Sequence, residues 1–169
     1  MRVGKKYFIP ININKKHILI NKNSPCDKLF FINKGLLRAY YTDSNGKETI
    51  RMIAWEGRFL TNVLSFRNLE ENKETIDCIE KAEILYINRN DFDTLIKLSL
   101  NIKSIYADIL EEYNSLHIKR FEQLNSGDAL DKYRFFNDNF SPLKNRINDS
   151  YLSSFLSISR KTIERIKKI

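Results

Sequence analysis

The chain has 169 residues, 42% of them hydrophobic and 30% charged, with 5 Gly and 3 Pro, which is enough for a core without disulfides or metals and excludes collagenous, low-complexity and largely disordered chains. Two cysteines, Cys26 and Cys78, and two histidines, His17 and His117, are too few for a disulfide framework, a cysteine-ligated cluster or a His-rich site, so no metal and no cofactor is expected. Net charge is +8, and seven basic residues against two acidic between Lys144 and Ile169 put +5 of it at one end, the electrostatic footprint of a polyanion binder unless that face is simply solvated.

No run reaches the length of a membrane span, and Met1-Arg2-Val3-Gly4-Lys5-Lys6 leads into a mixed segment instead of a signal-peptide core, so a cytoplasmic location without membrane contact is expected. From His17 to Asn88 short apolar or alternating runs are separated by turn residues, the pattern of successive antiparallel strands in a sandwich or barrel. The runs are His17-Ile18-Leu19-Ile20, Leu29-Phe30-Phe31-Ile32, residues 36–42, residues 48–53, residues 75–79 and residues 83–87. Between the third and fourth, Asp43-Ser44-Asn45-Gly46-Lys47 predicts a hairpin whose Asn-Gly supplies the positive φ angles.

Past Asn88 the apolar period lengthens to about 3.6. Asn90 is the expected cap of a short helix carrying Phe92, Leu95 and Ile96, and a longer helix is predicted over residues 102–124. Its apolar positions, Ile102, Ile105, Tyr106, Ile109, Leu110, Tyr113, Leu116 and Phe121, make a stripe along some six turns. That stripe either packs on its own domain or pairs with a second copy; its length favours a homodimer, with Ile102, Ile105, Ile109, Tyr113 and Leu116 as the contact residues. Ser126-Gly127-Asp128 should break it, and a further helix over residues 129–140, bearing Leu130, Tyr133, Phe135 and Phe136, should end at Ser141-Pro142.

The last twenty residues parse as two helices about a tight turn. Leu152, Ser153, Phe155 and Leu156 provide an apolar face and a small crossing residue, Ser157-Ile158 makes the turn with Ile158 as a core plug, and Ser159 caps a second helix whose Ile163 and Ile166 face inward. Its outward residues suit a recognition helix in a DNA major groove. Arg160 and Arg165 can bind guanine bidentately, Lys161 less specifically, and Glu164 can accept from a cytosine amine. Ser159 and Thr162 suit phosphate, while Lys167 and Lys168 sit late on the helix, near backbone or nothing.

Phe31-Ile32-Asn33-Lys34-Gly35-Leu36-Leu37-Arg38, Asn45-Gly46-Lys47-Glu48, Ser65-Phe66 and Ile158-Ser159-Arg160-Lys161-Thr162-Ile163-Glu164-Arg165-Ile166 together resemble the Crp/Fnr superfamily of bacterial transcription regulators. The resemblance implies an α+β chain: a jelly-roll-like antiparallel β-roll of cyclic-nucleotide-binding type over 1–100, a long dimerisation helix over 101–125, and a winged helix-turn-helix over 126–169. It also implies a homodimer on a two-fold symmetric double-stranded DNA site, with RNA polymerase as a further partner and an unknown small-molecule effector. By the match, an effector pocket would draw on Gly57, Thr61, Asn62, Ser65, Lys73 and Thr75.

There are departures. A cyclic-nucleotide site in this family uses a Gly-Glu pair at a short helix and a following arginine; here Asn62 stands near the glutamate's place and Asn72-Lys73-Glu74-Thr75 contains no arginine. Lysine cannot reproduce the bidentate clamp and Glu74 would repel phosphate, so cyclic AMP is not the expected effector. Ser157 stands where glycine is usual, at a cost if the backbone there is left-handed. Because the sequence stops at Ile169, a wing is expected around residues 141–147. Two other readings remain, a regulator whose β-roll binds nothing and serves as a scaffold, and a cupin-like enzyme. The latter lacks ligands, since His17 and His117 stand a hundred residues apart with no carboxylate–histidine cluster.

Overall fold

The computed structural model describes residues 6–125 and 127–168; Met1 to Lys5, Ser126 of the expected helix break, and Ile169 lie outside the described residues. The chain divides into two compact units, one ending at Ala107 and the other starting at Asp108. Among the described residues the first unit holds eight strands: β1 (Ile9–Ile13), β2 (Ile18–Ile20), β3 (Lys28–Lys34), β4 (Leu37–Thr42), β5 (Glu48–Ala54), β6 (Phe59–Leu60), β7 (Thr75–Cys78) and β8 (Ala82–Asn88). They form two four-stranded sheets, in the orders β1-β8-β3-β6 and β2-β7-β4-β5, with every pairing antiparallel. Phe30, Ile32 and Ile84 from one sheet and Leu37, Ile50, Ile53 and Ile76 from the other are fully shielded, so the alternating apolar positions of both sheets supply the core.

Strands β1 and β6 are additions to the sequence reading. Ile9-Pro10-Ile11 carries a proline that weakens its strand signal, and β1 tolerates it by lying at a sheet edge beside β8; β6 has two residues, too few to show a period. The β4–β5 hairpin forms where expected, but its closure differs. Gly46 has φ +78 while Asn45 does not share the left-handed region, and the Asp43 carboxylate accepts from the N–H groups of Asn45 (2.9 Å) and Lys47 (3.0 Å). One glycine and one Asx turn thus do the work expected of the Asn-Gly pair. Gly35 is required by a close approach: a Cβ there would lie 2.7 Å from that of Ala82, at φ +105.

Helix α1 (Val63–Asn68) follows β6, and α2 (Arg89–Leu98) follows β8. The cap position of α2 is Asn88; Asn90 lies inside the helix, where its carbonyl accepts from Thr94 Oγ1 at 2.9 Å. The tight exit from β8 starts the helix two residues earlier than side-chain capping chemistry suggested. Helix α3 (Leu100–Asn125) spans 26 residues, and the boundary between the units falls within it. Tyr106 packs its ring 4.8 Å from Phe92, which in turn stands 5.3 Å from Phe66 of α1.

In the second unit, α4 (Ala129–Asn139), a 3-10 turn (Ser141–Leu143), α5 (Asp149–Leu156) and α6 (Arg160–Ile166) follow α3. Among the described residues this unit contains no strand. Residues 141–147, the expected wing, form the 3-10 turn and further turns instead, with Leu143 fully buried; Pro142 at the turn's start withholds the N–H that strand pairing would need.

Candidate functional site

The C-terminal unit is assembled by caps and an aromatic core. Asp128 accepts from the N–H groups of Leu130 (2.7 Å) and Asp131 (3.0 Å) in a capping box that starts α4. The Asp131 and Leu130 donors also hold its carboxyl below the usual range. Phe136 and Phe140 meet Phe155 edge-to-face, with ring centroids 6.2 and 5.1 Å away. On the other side Arg120 lies 4.2 Å over the Phe155 ring and donates to its carbonyl at 2.7 Å. Asn148 caps α5 by accepting from Tyr151 N–H at 2.8 Å.

The turn between α5 and α6 is left-handed at Ser157, with φ 54 and ψ 42. A residue with a Cβ costs about 1–2 kcal/mol there, and glycine does not. Ser157→Gly is therefore expected to stabilise the unit by about 1 kcal/mol, read as a higher urea midpoint by far-UV circular dichroism; an unchanged or lower midpoint contradicts the strain. Ile158 is only half-buried. The plug between the helices is supplied by Leu152, Phe155, Leu156, Ile163 and Ile166, all buried, because the left-handed turn leaves Ile158 at the rim of the helix pair.

Ser159 caps α6: its Oγ accepts from Thr162 N–H at 3.1 Å and lies 2.7 Å from Thr162 Oγ1. Both hydroxyls are thereby oriented at the helix start. Beyond the cap, Ser159, Lys161, Thr162, Glu164, Arg165 and Lys168 line one open groove of about 570 Å³. Arg160 stands outside that lining, 68% exposed, and is paired with Glu164 at 3.4 Å across one helical turn. An exposed pair of this kind contributes little and can exchange for another anion. Lys167, expected near backbone or nothing, instead reaches the Asp149 carboxylate at the start of α5, which ties the two ends of the helix pair together.

The expected effector residues fall into two groups. Thr61 Oγ1 donates to the Lys28 carbonyl at 2.8 Å and lies 3.2 Å from Cys26 Sγ; burial pushes the Cys26 thiol's pKa up. Asn62 caps α1 by accepting from Ser65 N–H at 3.2 Å. These three residues meet at the start of α1, whereas the others make their contacts elsewhere. Gly57 sits in an exposed turn and donates to the Ile32 carbonyl at 2.9 Å, Lys73 is exposed, and Thr75 Oγ1 accepts from Lys22 N–H at 3.3 Å.

Arg51, which the sequence did not single out, and Glu74, expected only to repel phosphate, complete the cluster. Asn62 Nδ2 donates to Glu74 Oε2 at 3.1 Å, and so does Arg51 Nη2 at 2.9 Å, with Arg51 Nε on the other carboxylate oxygen. An arginine thus reaches this cluster from β5, outside the segment 72–75. Only the sheet order, with β4 between β5 and β7, could have revealed it.

Among the described residues no cluster of three His, Cys, Asp or Glu side chains could hold a metal, and no helix is long and apolar enough to cross a membrane. The sequence matches the family model of the cyclic nucleotide-binding domain over residues 10–99. Similar solved structures cover nearly the whole chain. FixK2 from Bradyrhizobium japonicum superposes with TM-score 0.82 at 11% identity, covering 95% of this chain and 83% of its own. A CooA mutant from Carboxydothermus hydrogenoformans gives 0.76 at 20% identity, covering 96% and 76%. CLP of Xanthomonas campestris, described as a c-di-GMP responsive global regulator, gives 0.74 at 14% identity, covering 96% and 86%. A search of the curated proteins returns no match.

Proposed function

Since the chain belongs to the cyclic nucleotide-binding domain family and has the fold of Crp/Fnr regulators, we propose that it is a DNA-binding transcription regulator, not an enzyme. It acts in the cytoplasm as a homodimer on a two-fold symmetric duplex, with RNA polymerase as a further partner. The observation that carries this reading is the surface of α6. Ile163 and Ile166 hold its inner face in the core while Arg160, Lys161, Glu164 and Arg165 are exposed on the other. Arginines on a capped helix have the forked donors that read guanine edges, and the lysines add counterion release.

A second copy has a matching place to sit. None of Ile102, Ile105, Ile109, Tyr113 and Leu116 is buried in the single chain, and Ile105 and Phe121 are 56% and 70% exposed. An apolar stripe of that length is costly in water and supports helix pairing in a dimer. Cyclic AMP is not the effector: by the resemblance Asn62 stands near the place of the family's ribose-binding glutamate, and the Arg51 guanidinium is already engaged by Glu74.

Selection of bound sites from random duplex DNA tests the reading. The expected product is a two-fold symmetric sequence whose affinity falls steeply with added salt. Arg160→Ala should then weaken binding by about 1–3 kcal/mol and relax base preference, while Lys168→Ala weakens all sequences about equally. Enrichment of no sequence, or binding indifferent to Arg160 and Arg165, would refute it.

A further inference from the structure

We propose that the Glu74 carboxylate is the β-roll's own anionic ligand, held where a bound phosphate would need Arg51, so that this domain takes no cyclic nucleotide or other phosphate and keeps its α1 segment ordered without an effector. The inference rests on the regulator reading above and names what its first unit does.

The geometry is that of a liganded anion. Glu74 has 0% exposure. Its carboxylate accepts from two nitrogens of the half-buried Arg51 and from Asn62 Nδ2, the forked, charge-assisted pattern by which arginine binds phosphates and carboxylates. The same Arg51 Nη2 donates to the Thr61 carbonyl at 3.3 Å. Asn72 closes the other side: it accepts from Asn62 Nδ2 at 3.1 Å and from Glu74 N–H at 3.3 Å, and donates to the Glu74 carbonyl at 2.5 Å.

Asn62 connects this cluster to α1, because its oxygen caps the helix while its nitrogen holds Glu74. A ligand phosphate would have to displace the carboxylate, leaving a buried negative charge unpaired beside a second one. Glu74 therefore selects against anions, and the contacts that an effector would make at Asn62 and Arg51 are made within the chain.

Calorimetric titration of the full chain with inorganic phosphate and, separately, with cyclic AMP tests this. The parent should give no binding heat with either, corresponding to a Kd weaker than about 1 mM. Glu74→Gln keeps the side-chain shape but no longer neutralises Arg51. With native Trp55 fluorescence confirming its fold, it should bind phosphate at least about tenfold more tightly than the parent, and Arg51→Gln added to it should abolish the gain. A parent Kd below about 1 mM for either probe overturns the proposal, as does a folded Glu74→Gln chain as silent as the parent. Should that variant not fold, the parent titration decides alone, silence supporting the proposal and binding overturning it. Duplex binding by the same parent preparation reports separately on the regulator reading.

Discussion

Phe155→Ala is expected to unfold the C-terminal unit and with it abolish duplex binding, although Phe155 touches no nucleic acid in the proposed reading. The ring is 1% exposed and is enclosed by Phe136, Phe140 and the Arg120 guanidinium. Truncating a buried phenylalanine costs about 3–5 kcal/mol through lost burial and the cavity left behind. A unit this small has little stability to spare, since whole domains are held by only about 5–15 kcal/mol. The helix pair would lose the wall on which α6 rests, and Arg160 and Arg165 would lose their common frame. Far-UV circular dichroism should show lost helix at ambient temperature, and a mobility shift should show no complex. A variant with the parent's helix content and duplex affinity contradicts this account of the core.

Asp77→Asn should destabilise the first unit by about 3–5 kcal/mol, the usual cost of removing one partner from a buried ion pair. Arg38 on β4 faces Asp77 on β7 across the sheet, donating to it at 2.7 and 2.8 Å and to Glu48 on β5 at 2.6 Å, while its guanidinium lies 4.0 Å over the Tyr40 ring. Burial alone would lower the arginine's pKa, but the Asp77 and Glu48 carboxylates outweigh it and hold the group charged. With Arg38 only 4% exposed, an asparagine at 77 removes the carboxylate that engages it through two nitrogens. The Trp55 fluorescence midpoint in urea reads this unit directly. The double change Arg38→Met with Asp77→Leu, which removes both charges, should recover most of the loss. Equal destabilisation in the single and double variants would show that the packing of the side chains, and not the loss of the Asp77 charge, carries the effect.

Much of this molecule was legible in local patterns. Alternation located six of the eight strands, the shift to a 3.6 period located α2, α3 and α4, and the run from Leu152 to Ile166 located the helix pair with Ser159 as its cap. Each of these signals is carried by residues near one another in the chain, where backbone propensity, capping and the period of burial act directly. Where a local signal was weak the reading failed. A proline interrupted β1, two residues were too few to reveal β6, and the strand-to-helix turn at Asn88 overrode the capping preference of Asn90.

Contacts between distant residues were decided by the tertiary structure alone. Arg38 is 39 residues from Asp77, and Arg51 is 23 from Glu74; no period or spacing encodes such pairs, because strand order in the sheet chooses the partner. The same holds for Arg120 beneath Phe155 and for Lys167 at Asp149. The sequence by itself determined which residues are apolar, where most of the strands and helices lie, and that positive charge gathers at the C-terminal end. Only the folded chain decided which buried charges face each other, since the desolvation of an arginine is tolerable only where long-range packing delivers a carboxylate to it.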